Sequence, residues 1–171
     1  MRNFLGNNLV RWRYLLIPVF LGVVLCFQII ASATDSPQLV VSQFYRWYIQ
    51  NQFQVRERIT EQETAFTPEL YQQLVQGFQK QPQSPSGWLD VDPFCDCQVR
   101  VFSVAGRSVR QHPDNNLFTE VNIDVYAGLR PPGSPFSIKV LVTQQDNHWQ
   151  IQNLVYTVRR DNLLRILREI N

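Results

Sequence analysis

The chain has 171 residues, of which 44% are hydrophobic, 12% aromatic and 18% charged. That is enough apolar material for one ordinary core and too much for a disordered chain. Removing residues 1–33 takes away three of the 16 basic residues and leaves 13 against 14 acidic ones. This nearly neutral balance offers a polyanion no electrostatic attraction, so we predict no nucleic-acid partner.

The N-terminus has the pattern of an export signal. Three arginines precede an uncharged apolar stretch over residues 14–30, and Ala31-Ser32-Ala33 places small residues where a signal peptidase reads them. We predict a signal peptide over residues 1–33. An uncleaved membrane anchor through residues 14–30 is the main alternative, because 17 residues reach the lower limit for crossing about 30 Å of hydrocarbon. A lipid anchor at Cys26 is disfavoured by the bulky Leu25 before it.

Both main alternatives give the same topology. The arginine-rich end stays in the cytoplasm, and everything after residue 34 crosses the membrane. We therefore predict an exported protein, periplasmic or extracellular, with residues 34–158 as its domain and residues 159–171 as a C-terminal basic helix.

The first predicted helix of the exported part is strongly aromatic. Ser36 is placed to cap it, and Pro37 takes the first helical position, where its missing N–H costs nothing. The helix runs to about Gln52, and its apolar side chains spread over roughly 200° of its circumference. An arc that wide predicts burial against a sheet on one flank and against helices or a cavity on the next.

Two more helices are predicted from caps and periodicity. One opens at Thr67-Pro68-Glu69 and ends before the Pro-rich stretch 81–87; residues 56–65 before it form a short helix or a loop. The other follows Asp161 as its cap and gathers apolar side chains on one face of residues 163–170. That face docks on the domain, forms a dimer contact or lies on an anionic membrane.

The middle of the chain changes to an alternating pattern. Residues 98–104, 118–126, 136–143 and 149–156 read as strands. Short turns join the last three, so neighbouring strands pair antiparallel. Helices followed by a meander predict an α+β domain in which N-terminal helices pack on a curved antiparallel β-sheet.

Two cysteines lie outside the apolar segment, and an oxidising compartment permits a disulfide between Cys95 and Cys97. The pair is interpreted as a local clip or as two free thiols, because the redox motif of known mechanics is spaced C-x-x-C. His112 and His148 stand isolated, so two thiolates find no further ligands. We predict no metal and no cofactor.

Several motifs resemble one family. The helix motif Phe44-Tyr45-Arg46-Trp47-Tyr48, the loop Asp90-Val91-Asp92-Pro93-Phe94 and the strand 148–156 resemble a family of exported bacterial proteins of unknown function with the nuclear transport factor 2-like fold. The resemblance covers residues 36–156, and it departs from the family pattern at Cys95-Asp96-Cys97-Gln98. It implies a cone: a bent sheet around the first helix, with an apolar interior open at one end.

An enzyme of this shape needs a general base inside an apolar cavity. Asp124 and Glu120 alternate with Val121, Ile123 and Val125, so we predict that both carboxylates point outward into solvent. Asp92 and Asp96 read as turn residues of the loop. No nucleophile arrangement or phosphate loop is visible.

Catalysis therefore stays uncertain and is the less favoured interpretation. We predict a non-catalytic extracytoplasmic binding module that takes a small apolar ligand or a protein partner, with a homodimer as one form of the latter. A lyase or isomerase working by proton transfer and an immunity or inhibitor-type protein remain as alternatives. The candidate ligand-binding residues are Tyr45, Tyr48, Trp88, Asp92, Phe94 and Tyr156.

Overall fold

The computed structural model describes residues 36–80 and 92–170. The predicted signal or anchor segment 1–33 and the candidate residue Trp88 lie outside the described residues. None of the helices within these ranges combines the length and the hydropathy that a membrane span requires.

The described ranges contain four α-helices and one 3-10 helix. Helix α1 spans Pro37–Asn51, α2 Val55–Arg58, α3 Pro68–Lys80 and α4 Leu163–Ile170, and the 3-10 helix spans Ile59–Ala65. Both predicted helices of the N-terminal half are thus confirmed, and the polar stretch between them is helical. Ser36 caps α1 as expected, its hydroxyl accepting the Leu39 N–H at 3.2 Å.

A five-stranded antiparallel sheet follows. Its strands are β1 Arg100–Gln111, β2 Thr119–Gly128, β3 Ser134–Gln145, β4 His148–Tyr156 and β5 Asp161–Asn162, and they pair in sequence order. Helices followed by a curved antiparallel sheet confirm the predicted α+β class. The sequence pattern missed β5, which has only two residues, and placed the end of β1 too early, because its second half alternates weakly.

The core lies between the helices and the inner face of the sheet. Strand β2 contributes its alternating residues Val121, Ile123 and Val125, all buried as predicted. Helix α1 contributes the other half from its wide apolar arc: Val40, Val41, Phe44, Tyr45 and Tyr48. The breadth of this arc, predicted from periodicity, reflects contacts with the sheet on one side and the 3-10 helix on another.

Helix α4 docks on the domain, which is the first of the three predicted alternatives. Leu163, Leu164 and Leu167 are buried against α3 and β4. The predicted cap was wrong by one residue: Asn162 accepts the Arg165 N–H at 3.0 Å, while Asp161 binds the Arg165 guanidinium. Asn162 is one residue closer to the helix, so its amide oxygen reaches the free N–H of Arg165. The Asp161 carboxylate instead binds the Arg165 side chain, one helical turn further along.

The outer face of the sheet corrects one prediction. Glu120 does lie on that face, but it is only 3% exposed rather than solvated. Arg110, directly opposite on β1, places Nε 2.6 Å from Oε2 of Glu120, and His112 Nε2 lies 3.8 Å from Oε1. The side chains of Arg110 and His112 cover the Glu120 carboxylate. The alternating sequence pattern predicts which sheet face a residue lies on, but not whether neighbouring side chains cover it.

Candidate functional site

A groove of about 630 Å³ lies between α1 and strands β1 and β2. Helix α1 covers the start of β1, where Val101 is buried, but leaves Val104 and Val109 half-buried further along the strand. The groove is therefore a strip of the inner sheet face beside the helix, which the helix only partly covers. We call it the α1 groove. Its apolar lining comes from all three elements: Val41, Tyr45, Ile49, Phe102, Val104, Val109, Val121 and Ile123.

Gly106 forms an open part of the groove wall. It pairs with Ile123 across the β1–β2 ladder, so a side chain there would stand on the inner face. A Cβ added at this position meets no atom within 4 Å. The missing side chain thus leaves space in the groove.

Polar groups occur on the rim of the α1 groove. Arg46, from the exposed side of α1, has neither a hydrogen bond nor an ion pair within the described ranges. Arg107, at a β-bulge of β1, also lines the groove, although its Nε lies 3.5 Å from Asp124 Oδ2. No aspartate, glutamate, histidine or cysteine is among the lining residues from the described part of the chain.

Three tyrosines meet beside the groove. Tyr45 donates its hydroxyl to the Phe94 carbonyl at 2.8 Å, Tyr156 to the Pro93 carbonyl at 2.7 Å, and Tyr48 to Asp92 Oδ2 at 2.8 Å. We call these three phenols and residues 92–94 the tyrosine cluster. Residues 92–94 of the predicted loop motif thus lie inside the domain, where two backbone carbonyls and one carboxylate accept hydrogen bonds from the core tyrosines.

Asp92 holds the loop from within. Its Oδ1 accepts the Phe94 N–H at 2.9 Å, and its own N–H donates to the Cys97 carbonyl at 2.8 Å. Burial raises the pKa of the Asp92 carboxyl above its usual value, while the hydrogen bonds from Phe94 and Tyr48 oppose that rise. The carboxylate therefore works as an acceptor for two donors of the interior.

A disulfide joins Cys95 and Cys97 within the same loop. Both cysteines are buried, and Asp96 between them takes a left-handed φ of 51°. Burial raises the pKa of the Asp96 carboxyl above its usual value. The charge of Arg159, whose Nε lies 3.4 Å from Oδ1, opposes part of that rise. Buried sulfurs are hard for another thiol to reach, so the arrangement is that of a structural clip.

The structure brings five of the six candidate ligand-binding residues together. Tyr45, Tyr48, Phe94 and Tyr156 are buried, and Asp92 is half-buried beside them. Of these five, Tyr45 lines the α1 groove. Aromatic rings fill the centre of the domain, with Phe44 in edge contact with Phe66 at 4.9 Å and with Phe94 at 5.0 Å. That these residues contact a ligand remains a prediction.

The sequence did not identify four of the groove residues as candidate ligand-binding residues: Arg46, Val104, Gly106 and Val109. Arg46 falls within the aromatic helix motif but outside its apolar arc. Val104 is the last residue of the predicted strand 98–104, and Gly106 and Val109 lie beyond it. The apolar residues of an uncovered strand edge have the same pattern as those of a covered one. Only the position of α1 distinguishes them.

The remaining carboxylate candidate, Asp124, does not line the groove. Asp124 lies on the outer sheet face, as predicted, where it accepts from the Ser137 hydroxyl at 2.7 Å. No group of three or more potential metal ligands occurs in the described ranges. The chemistry of the α1 groove is accordingly that of apolar contact with a cationic rim.

We expect half of the six tyrosines of the chain to resist ionisation in the folded state. Burial raises the pKa values of Tyr45, Tyr48 and Tyr156 well above the ordinary value of 10.0. The unfolded chain ionises near 10, so folding stability is lost as the pH rises past that value. Absorbance at 295 nm during a pH titration measures this: the three phenolates appear only with loss of secondary structure. Smooth titration of all tyrosines in the folded state would contradict it.

The fold and groove define an α+β domain whose helices cover part of a curved antiparallel sheet and leave the rest open. No family model matches the chain, and no curated protein matches it. Among solved structures, it is similar to a phospholipid-binding protein from Ralstonia solanacearum in complex with a phospholipid. The TM-score is 0.37 and the identity 18%, over 78% of this chain and 73% of that chain. A likeness of this size assigns neither a family nor a ligand.

Proposed function

We propose that the protein is an extracytoplasmic, non-catalytic binding module with a cone of the nuclear transport factor 2-like type. Its ligand is a small apolar molecule that occupies the α1 groove. The observation that carries this proposal is the groove itself: about 630 Å³ with apolar walls from a helix and two strands. Cavities of this size and lining are typical of small-ligand sites.

The rim narrows the ligand class to a molecule with an apolar body and one anionic group. Arg46 lacks a partner within the described residues, and a cation on the rim of an apolar groove favours a carboxylate or phosphate there. The apolar body then covers Val104 and Val109, which are half-buried without it. A fatty acid is a simple molecule of this class.

Two observations support a non-catalytic role. The groove lining described above offers no carboxylate, imidazole or thiol for proton transfer. Asp92 is a largely buried carboxylate and would be a candidate general base. However, one of its oxygens accepts a hydrogen bond from the Tyr48 hydroxyl and the other accepts one from the Phe94 N–H. The extracytoplasmic location rests on the arginine-rich and apolar pattern of residues 1–33.

Filling the groove is expected to abolish ligand binding. Gly106→Phe introduces a ring on the inner face, where a Cβ meets open space. We expect it to weaken the binding of cis-parinaric acid, a fluorescent fatty acid, by at least about tenfold. Fluorescence titration of the full chain measures the affinity, and native mass spectrometry of the unmodified protein reports any co-purified ligand.

The neighbouring position provides the matched control. Ala105 is exposed, and its partner in the ladder is Asp124 of the outer face. Ala105→Phe therefore adds the same ring on the other side of the sheet and should leave the affinity unchanged. Equal binding by the parent and by Gly106→Phe would overturn the proposal. So would equal loss in both variants.

A further inference from the structure

Three of the four large apolar side chains that are exposed in the described ranges lie at one end of the sheet. In the described ranges, Phe53, Leu129 and Val158 are 78%, 92% and 85% exposed. The start of β1, the turn from β2 to β3 and the turn after β4 meet at this end because the strands are antiparallel. Exposed apolar groups gathered in this way mark interaction surfaces more often than single ones do.

Arginines accompany these side chains. Arg100 holds its guanidinium 5.9 Å from the centre of the Phe53 ring, and Arg130 follows Leu129 in the chain. Arg159 and Arg160 follow Val158. Together with Phe53, Leu129 and Val158, these four arginines are called the arginine end.

The charge of the arginine end is only partly balanced. Arg159 pairs with Asp96 at 3.4 Å, whereas Arg130 and Arg160 have no ion-pair partner within the described residues. The opposite end of the sheet differs in sign, since its turns carry Asp114 and Asp146. The two ends thus present a positive and a negative surface, although the whole chain is nearly neutral.

The turns that carry these groups are ordered by backbone contacts. At the β2–β3 turn, Gly133 has φ +83°, and a Cβ there would lie 2.7 Å from the Ala127 backbone. At the turn after β4, the Arg160 N–H donates to the Tyr156 carbonyl at 3.0 Å, and the Thr157 hydroxyl donates to the Ser137 carbonyl at 2.9 Å. Leu129 and Val158 are therefore presented outward by fixed turns.

We propose that the arginine end docks on the surface of an anionic lipid bilayer. Apolar side chains on adjacent turns enter the interface between headgroups and acyl chains, and arginines beside them bind lipid phosphates. Neither group alone makes a stable attachment, but apolar insertion and electrostatic attraction add. The acidic opposite end then faces away from the membrane. This docking is independent of what occupies the α1 groove.

A chain from Thr34 to Asn171 is suitable for testing this, because the apolar stretch 14–30 would itself enter vesicles. Residues 35–171 form a separate compact unit, and the buried core described above runs from Val40 to Leu167 within it. The shortened chain thus keeps every residue of that core. Circular dichroism verifies its fold and that of each variant.

Co-sedimentation with vesicles measures docking. We expect the chain to bind vesicles of phosphatidylcholine mixed with phosphatidylglycerol, to bind phosphatidylcholine alone weakly, and to lose affinity as salt is added. Replacing Arg130 and Arg160 by glutamine should weaken binding about fivefold for each arginine removed. The double variant Leu129→Ser, Val158→Ser should weaken it about tenfold, because it removes both inserting side chains.

Leu117 supplies the matched control. It is 71% exposed at the acidic end, so Leu117→Ser removes another largely exposed leucine and should leave vesicle binding unchanged. Equal binding to neutral and anionic vesicles would overturn the proposal, as would a loss in Leu117→Ser as large as that in the double serine variant. Dimerisation that the double variant abolishes would assign the surface to a second copy of the chain instead.

Discussion

Replacement of Phe94 by alanine is expected to lower the free energy of unfolding by about 3–5 kcal/mol, the range for removing a buried aromatic ring. Phe94 is completely buried, and its ring lies 5.0 Å from that of Phe44 and 5.4 Å from that of Tyr48. The disulfide between Cys95 and Cys97 restrains the loop beside it. We expect little collapse around the lost ring, so most of the cavity remains. Urea denaturation followed by circular dichroism measures the difference.

Phe53→Ala is the matched control, since the same ring is lost from a position that is 78% exposed. Its effect should stay within about 0.5 kcal/mol, as for most surface substitutions. A Phe94→Ala variant as stable as the Phe53 variant would mean that the ring cluster repacks. The loop would then contribute no rigid part of the core.

The order of helices and strands was predictable because it depends on local periodicity. The Ser36-Pro37 cap, the wide apolar arc of α1 and the alternation of β2 each encode one element within a few residues. The α+β class follows from their order. These predictions do not depend on which elements pack against each other.

The tyrosine cluster shows where such reasoning stops. The aromatic helix and the Asp-Pro-Phe loop were both singled out, and Tyr45 bonds a residue 49 positions away, while Tyr156 bonds one 63 positions away. Those contacts depend on how α1 crosses the sheet, which no local pattern specifies. The location of the α1 groove depends on the same crossing, because aromatic rings pack at the centre and the groove lies beside α1.

Helix α1 is shorter than the strand on which it packs. A helix of 15 residues is about 22 Å long, whereas 12 residues of extended strand reach about 40 Å. Helix α1 therefore cannot cover β1 from end to end. The α1 groove runs along the side of the helix, with lining residues from Gln38 to Ile49 of α1 and from Phe102 to Val109 of β1.

Replacing Asp92 by alanine is expected to lower the free energy of unfolding by about 2–4 kcal/mol at neutral pH. The change leaves the Tyr48 hydroxyl and the Phe94 N–H without the acceptors they have at 2.8 and 2.9 Å. A buried donor without a partner costs about 1–3 kcal/mol, and relief of the desolvated carboxylate offsets part of the sum. Denaturant titration at several pH values measures the loss.

The pH dependence separates the role of this carboxyl group from simple loss of volume. Because burial raises the pKa of Asp92 in the folded protein above the ordinary 3.8, the folded state holds its proton more tightly than the unfolded chain does. Its stabilising contribution is full below the unfolded pKa and is lost as the pH rises through the folded one. Asp92→Ala should lack that decline, so the gap between variant and parent narrows as the pH rises through this window.

Asp124→Ala removes a half-buried carboxylate from the outer sheet face, where Arg107 and Ser137 remain accessible to water. Its cost should stay within about 1 kcal/mol, as for exposed ion pairs. A loss in Asp92→Ala no larger than this would show that the loop is held without its carboxylate. The two substitutions differ in the donors that they leave unpaired. Water can replace the Asp124 carboxylate as an acceptor at the outer sheet face, but it cannot replace the Asp92 carboxylate in the interior.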